Sequence, residues 1–209
     1  MAVFDEISEL LQKGRTPKVK EAVQAALDSG ENAKDILEKG LLSGMDVIGA
    51  KFKNNEIFVP EVLLAARAMN AGVEVLKPHL IAEGVESKGT AVIGTVKGDL
   101  HDIGKNLVKM MLEGKGITAI DLGVDVTPER FVEAAEENNA DIICCSALLT
   151  TTMGIMADVV ELAKAKKLRA KVMVGGAPIT QEFSNTIGAD GYTPDAASAS
   201  DMAIAFCEK

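Results

Sequence analysis

The chain has 209 residues, enough to bury one large core or two small ones, and its 47% hydrophobic and 25% charged residues are ordinary for a globular protein. A net charge of −9 argues against a nucleic-acid binder, whose phosphate contacts need a basic surface, and no apolar run reaches the roughly 18 residues of a membrane span. With aromatics at 3% and no Trp, the cores must be built from Ala, Val, Ile, Leu and nine Met.

The N-terminal segment lacks the charged and apolar regions of a signal peptide. Phe4, Ile7, Leu10 and Leu11 suggest a first short helix, stopped by Gly14. Thr16 and Pro17 read as the N-cap and first position of a second helix, ending near Ser29. Asn32 can cap a third, with Ile36, Leu37, Leu41, Met45 and Ile48 on one face, running to Phe52. After a polar turn over Lys53 to Glu56, Pro60 opens a fourth helix through Leu63, Leu64, Met69, Val73 and Leu76, which Pro78 should bend or end. Four helices with short connections make a small antiparallel bundle. The link from Ala82 to Gly89 is the expected boundary, giving domains 1–87 and 88–209.

Beyond it the period changes. Apolar runs at Thr90 to Val96, Ile117 to Leu122, Asp141 to Ser146 and Lys171 to Val174 are short, rich in Val and Ile, and separated by amphipathic stretches. Lys105 to Leu112 reads as a helix, Thr127-Pro128-Glu129 as a helix start, Gly191-Tyr192 as a very short fifth strand, and Ala196 as the beginning of a last helix. Alternating apolar strands and helices mean a parallel sheet covered on both faces, here a doubly wound domain with a crevice at the strand carboxyl ends. Cys144 and Cys145 are adjacent in a strand and must face opposite ways. With Cys207 remote in sequence and no C-x-x-C, disulfides are not expected and a cytoplasmic location is.

Three loops after strands carry unusual residues. The first is Gly98-Asp99-Leu100-His101-Asp102-Ile103-Gly104, where an imidazole stands two residues after a carboxylate. An Asp-held His is a common metal ligand, although a lone His is more often structural. The second is hydroxyl-rich, Ser146-Ala147-Leu148-Leu149-Thr150-Thr151-Thr152, and the third is Gly175-Gly176-Ala177-Pro178. In a sheet ordered 2-1-3-4-5 they line one crevice. Small residues there leave room for a bulky ligand, with His101 at its mouth.

Together these residues resemble a known signature. Asp99, His101 and Gly104 as D-x-H-x-x-G, Ser146 and Leu148 as S-x-L, and the pair Gly175-Gly176 resemble the cobalamin-binding modules of methionine synthase. They resemble equally the small corrinoid proteins of methanol, methylamine, betaine and aryl-ether methyltransferase systems. The resemblance covers nearly the whole chain, because the bundle is similar to those proteins' N-terminal cap. It implies an α/β fold class: a four-helix cap followed by a five-stranded, flavodoxin-like cobalamin-binding domain. The implied cofactor is cobalamin, as methylcobalamin or a related corrinoid.

By the same resemblance, His101 replaces the cofactor's own base as lower cobalt ligand, Asp99 accepts its other ring proton, and Thr152 backs Asp99 at a position where methionine synthases carry Ser. Gly104, Ser146, Gly175 and Gly176 would leave a groove for the cofactor's tail, with Gly98, Leu100, Asp102, Ile103, Leu148 and Thr150 as further contacts from the same loops. Phe52, Val59 and Val62 match cap residues over the methyl group, Val59 standing where methionine synthase has Leu. Glu38 matches a cap residue that reaches the corrin side chains, and Ala196 a backbone contact near the nucleotide end. The implied function is to carry a methyl group on cobalt from a substrate-specific methyltransferase to an acceptor methyltransferase, with tetrahydrofolate or a thiol receiving it. A corrinoid reductive activase is a third implied partner, and the chain is not expected to catalyse alone. The competing readings are a light sensor, which would use a cap Trp and a DNA-binding module, and a mutase subunit, which generally lacks the cap. Both are disfavoured by this sequence, which has no Trp and does carry a helical cap. A plain receiver domain leaves His101, the Gly pair and the cap unexplained together.

Overall fold

The structure, a computed structural model, describes residues 3–208. The chain forms two compact units, one reaching to Ser87 and including Gly114–Gly116, the other made of Lys88–Glu113 and the chain from Ile117 onward.

The first unit is helical. It contains α1 (Val3–Gln12), α2 (Thr16–Asp28), α3 (Ala33–Asp35), a π-helical segment (Ile36–Leu42), α4 (Ser43–Lys53) and α5 (Val59–Ala82). The helix expected from Asn32 to Phe52 is therefore interrupted. Asn32 does cap its start, its side-chain oxygen accepting from the Lys34 and Asp35 amides, but seven residues then widen to π geometry. Glycines bring α1 close to this stretch: a Cβ on Gly40 would lie 3.1 Å from Ile7, and one on Gly44 3.2 Å from the Ser8 carbonyl oxygen. Arg15 rather than Thr16 is the N-cap of α2, which puts Pro17 one position deeper, still where an amide would have no helical acceptor. Pro78 does not end α5, which runs to Ala82. The proline removes one donor near the helix end, and the remaining bonds carry the last turn.

In the second unit five strands, β1 (Gly89–Thr95), β2 (Ile117–Asp121), β3 (Ile142–Ser146), β4 (Lys171–Gly175) and β5 (Gly191–Tyr192), form one parallel sheet in the order β2-β1-β3-β4-β5. The connecting helices are α6 (Ile103–Glu113), α7 (Pro128–Glu137), α8 (Gly154–Ala165) and α9 (Gln181–Ile187), and α10 (Ala196–Cys207) follows β5. Thr127, Thr180 and Asp195 cap α7, α9 and α10 with side-chain oxygens.

The two-residue period of a strand sorts the side chains into two cores. Val92, Ile143, Cys145 and Val174 pack with Phe131 of α7 and Val159 of α8, whereas Ala91, Ile93, Cys144 and Met173 pack with Leu112 of α6 and Ala203 of α10. The neighbouring cysteines thus face opposite ways. Burial pushes the Cys144 thiol up to about 12 and raises that of Cys145 well above its ordinary value, so both act as small core side chains.

Gly94, inside β1, is required by packing. A Cβ there would stand 2.9 Å from Phe131 Cζ and 3.1 Å from Val126. Phe131 is fully buried and has nowhere to retreat. We expect Gly94→Ala to lower stability by about 1–3 kcal/mol, measured by urea unfolding.

Candidate functional site

The β1–α6 loop leaves the sheet between β2 and β3, and its conformation begins with Gly98. That residue has φ +85°, and a Cβ would press against Thr152 Cγ2 at 3.3 Å. The next residue, Asp99, is a carboxylate with no exposed surface. Its Oδ1 accepts from the His101 amide at 3.0 Å and from His101 Nδ1 at 2.7 Å. Its Oδ2 accepts from the amides of Leu148 at 2.7 Å and Leu149 at 3.1 Å, both in the loop after β3.

Thr152 Oγ1 lies 3.3 Å from Asp99 Oδ2 and 2.9 Å from the Leu149 carbonyl oxygen. It has one proton for two acceptors, and the shorter contact favours the carbonyl. Burial by itself would raise the Asp99 pKa, but the His101, Leu148 and Leu149 amides and the His101 ring outweigh it and hold the carboxyl well below the usual range. The carboxylate is therefore a fixed anion at the floor of the crevice.

An ionised Asp99 settles the imidazole's tautomer: Nδ1 carries the proton and donates it, which leaves the Nε2 lone pair free. The His101 side chain is 52% exposed, and among the described residues nothing bonds Nε2. Nor do the described residues contain any group of three or more His, Cys, Asp or Glu side chains able to hold a metal ion. His101 can thus supply one ligand to a metal that brings its other ligands with it, as a macrocycle does.

The surroundings fit a large, partly apolar group. Leu100 and Ile103, on either side of His101, are 72% and 76% exposed, and Leu148 and Leu149 are also in solvent. Thr95, Ser146 and Gly175 are register partners across β1, β3 and β4, so they form a row at the carboxyl ends. The glycines separate into two kinds. A Cβ on Gly176, at φ +128°, would run into the Ala147 carbonyl oxygen, so packing alone requires it. Around Gly104 and Gly175 a Cβ would meet nothing within 4 Å, so their smallness leaves space that the protein itself does not fill.

The remaining candidates are dispersed. Asp102 is exposed and holds Asn106 through its carbonyl and carboxylate; Thr150 is exposed; Ala196 is buried at the start of α10. In the first unit Glu38 is exposed on the π segment and Phe52 and Val59 are half-buried, but Val62 has no exposed surface. Four participants escaped the sequence reading. The Leu149 amide binds Asp99, and the buried Thr95 hydroxyl donates to the His101 carbonyl oxygen at 2.8 Å. Asp125 accepts from the Gly98 amide at 2.7 Å, and the nearly buried Lys105 pairs with Asp121 at 2.7 Å. Only Asp125, beside Gly123 in a turn-like stretch, left any signal in residue type.

Comparison with known proteins agrees with this geometry. Residues 89–200 match the B12 binding domain family, and residues 3–77 match a second family of the same description. A corrinoid protein of Desulfitobacterium hafniense is 42% identical over 208 residues, covering 97% of this chain and 96% of the relative. Dimethylamine corrinoid protein 1 of Methanosarcina acetivorans is 48% identical over 187 residues, covering 86% of this chain and 87% of the relative. Among solved structures, a chain of the methanol:cobalamin methyltransferase complex from Methanosarcina barkeri superposes with a TM-score of 0.88 at 31% identity, covering 99% of this chain and 80% of that one. The chain belongs to the corrinoid proteins, built on B12 binding domains, and its cofactor is a corrinoid.

Two outcomes follow from the site. Gly175→Val should leave unfolding within about 0.5 kcal/mol of the unmodified protein yet weaken corrinoid binding about tenfold or more in equilibrium titration, because the side chain enters open space. Asp99→Asn places an amide among N–H donors and should cost about 1–3 kcal/mol at neutral pH. Folding lowers the Asp99 pKa, so its contribution is complete above the unfolded value of about 3.9 and is lost as pH falls through the native value. The stability gap between the two proteins, followed by urea unfolding at several pH values, should therefore narrow in acid.

Proposed function

We propose that the chain is the methyl carrier of a corrinoid-dependent methyltransferase system and that His101 is the protein's ligand to cobalt. One observation carries the assignment: an exposed imidazole whose Nδ1 is tied at 2.7 Å to a wholly buried carboxylate, leaving Nε2 free. When bound, the corrinoid supplies the cobalt that accepts and releases the methyl group.

The protein's part is to bind, orient and hold a proton. His101 presents Nε2 while Asp99 holds Nδ1–H, and the Leu148 and Leu149 amides keep Asp99 in place. A proton taken up at Nε2 would turn the ring into a cation beside the Asp99 anion and end its capacity as a ligand. Thr152 can give its hydroxyl proton to Asp99 or to Leu149, so it adjusts how strongly Asp99 holds the ring.

The space beside Gly104, Ser146, Gly175 and Gly176 would receive the cofactor's tail, with Ala196 near its far end. Residues 88–209 would form the cofactor domain and residues 1–87 its cap. By the resemblance Phe52, Val59, Val62 and Glu38 are the cap residues offered to the cofactor; Phe52 and Val59 are half-buried, Glu38 is exposed and Val62 is buried.

The partners are a substrate-specific methyltransferase, an acceptor methyltransferase and a corrinoid reductive activase. The first is supported by the methyltransferase complex among the structural relatives. A relative named for dimethylamine and a chain of a methanol:cobalamin methyltransferase complex both match this chain, which supports the reading that the partner enzyme chooses the donor. A cytoplasmic location suits the three free thiols, Cys144, Cys145 and Cys207, and no described helix is long and apolar enough to cross a membrane.

The test is the absorbance spectrum of the protein loaded with cobalamin. The unmodified protein should show cobalt with the cofactor's base off and a histidine on, and His101→Ala should show a water-ligated form. The same spectrum from both proteins would refute the assignment.

A further inference from the structure

The loop that carries His101 is gripped from a second loop, to which the proposed function gives no role. Asp125 lies between β2 and α7 with φ +56°, a left-handed conformation that only Asn and Asp among ordinary residues adopt with any ease. Its carboxylate Oδ1 accepts from the Gly98 amide at 2.7 Å, and its own amide donates to the Asp99 carbonyl oxygen at 3.1 Å. A single residue thus closes two bonds around the peptide that joins Gly98 to the buried Asp99. A Cβ on Gly98 would come within 3.3 Å of the Thr152 methyl, so the loop has little room for a side chain there.

The gripping loop is itself fixed at both ends. The Val126 amide donates to the Thr95 carbonyl oxygen at 2.9 Å, and the Thr95 amide donates to the Gly123 carbonyl oxygen at 3.0 Å. Asp121 accepts from the Gly123 amide at 2.9 Å and from Lys105 Nζ at 2.7 Å. Lys105 is 3% exposed and sits in the first turn of α6, the helix that begins two residues after His101. The His101 loop therefore leaves and returns through elements that the 121–126 loop holds together. A strained, exposed residue retained in such a place offsets its strain through the bonds it makes.

We propose that Asp125 is a positioning residue of the cobalt-ligand loop, acting through Gly98 and Asp99 to hold the His101 ring in the orientation that cobalt binding requires; this rests on the reading of His101 as ligand. The acceptor oxygen matters, not the charge, so Asn can replace Asp and Ala cannot. Asp125 is exposed, so its loss loosens the loop without unfolding the domain.

The test compares Asp125→Ala and Asp125→Asn in the full chain with two readouts. In the protein alone, hydrogen exchange of the Gly98 amide should quicken about tenfold in D125A and remain as in the unmodified protein in D125N. In the cobalamin-loaded protein, the ratio of histidine-ligated to water-ligated cobalt, read from absorbance, should fall about tenfold in D125A and be restored in D125N. An unchanged ratio in D125A, or a D125N protein as impaired as D125A, overturns the proposal. If the unmodified protein shows no histidine-ligated form, the ligand reading fails first and the proposal falls with it, a result distinct from a D125A protein that matches a histidine-ligated parent.

Discussion

A carboxylate with no exposed surface is expensive unless every lone pair is used, and the second unit is organised around meeting that demand at Asp99. Four N–H groups point at it, two from His101 and one each from Leu148 and Leu149, with the Thr152 hydroxyl as an adjustable fifth donor. Donors from residues 101 and 148–152 can converge only if the loops after β1 and β3 are neighbours. The strand order β2-β1-β3-β4-β5 makes them so, and the order in turn depends on two apolar faces that helices must cover. Burial of one charge thereby links the sheet's topology to the direction in which one imidazole points.

The same constraint explains why an exposed ring can be well oriented. His101 is half in solvent, where a free imidazole would sample several rotamers, yet its Nδ1 is held by an anion that cannot move. In the proposed role one protein ligand would suffice, since a corrin ring brings its own nitrogens.

Much of this was legible in the sequence for identifiable reasons. Strands in a sheet covered on both faces are uniformly apolar, so the Val- and Ile-rich runs lay within a residue or two of the observed β1 to β4. His101 and Asp99 stood out because a polar pair at the end of such a run has few structural uses. What stayed hidden was carried by backbone or by exceptions to rule. The Leu149 amide has no residue-type signature, a π segment looks like α-helix in a hydrophobic pattern, and Lys105 is a buried member of a class that is almost always exposed. The two glycines of the Gly175-Gly176 pair look alike in sequence and differ in cause, since only Gly176 is demanded by a neighbouring backbone atom.

In the proposed role a histidine of the chain, rather than a base of the cofactor, ligates the cobalt. The most direct measurement is the electron paramagnetic resonance spectrum of the cobalt(II) form, made with protein whose histidines carry the spin-one-half isotope of nitrogen and cobalamin of ordinary isotopic content. Coupling to His101 would split each cobalt line in two. A three-line splitting, from ordinary nitrogen in the cofactor's own base, or no nitrogen splitting at all, would contradict the account.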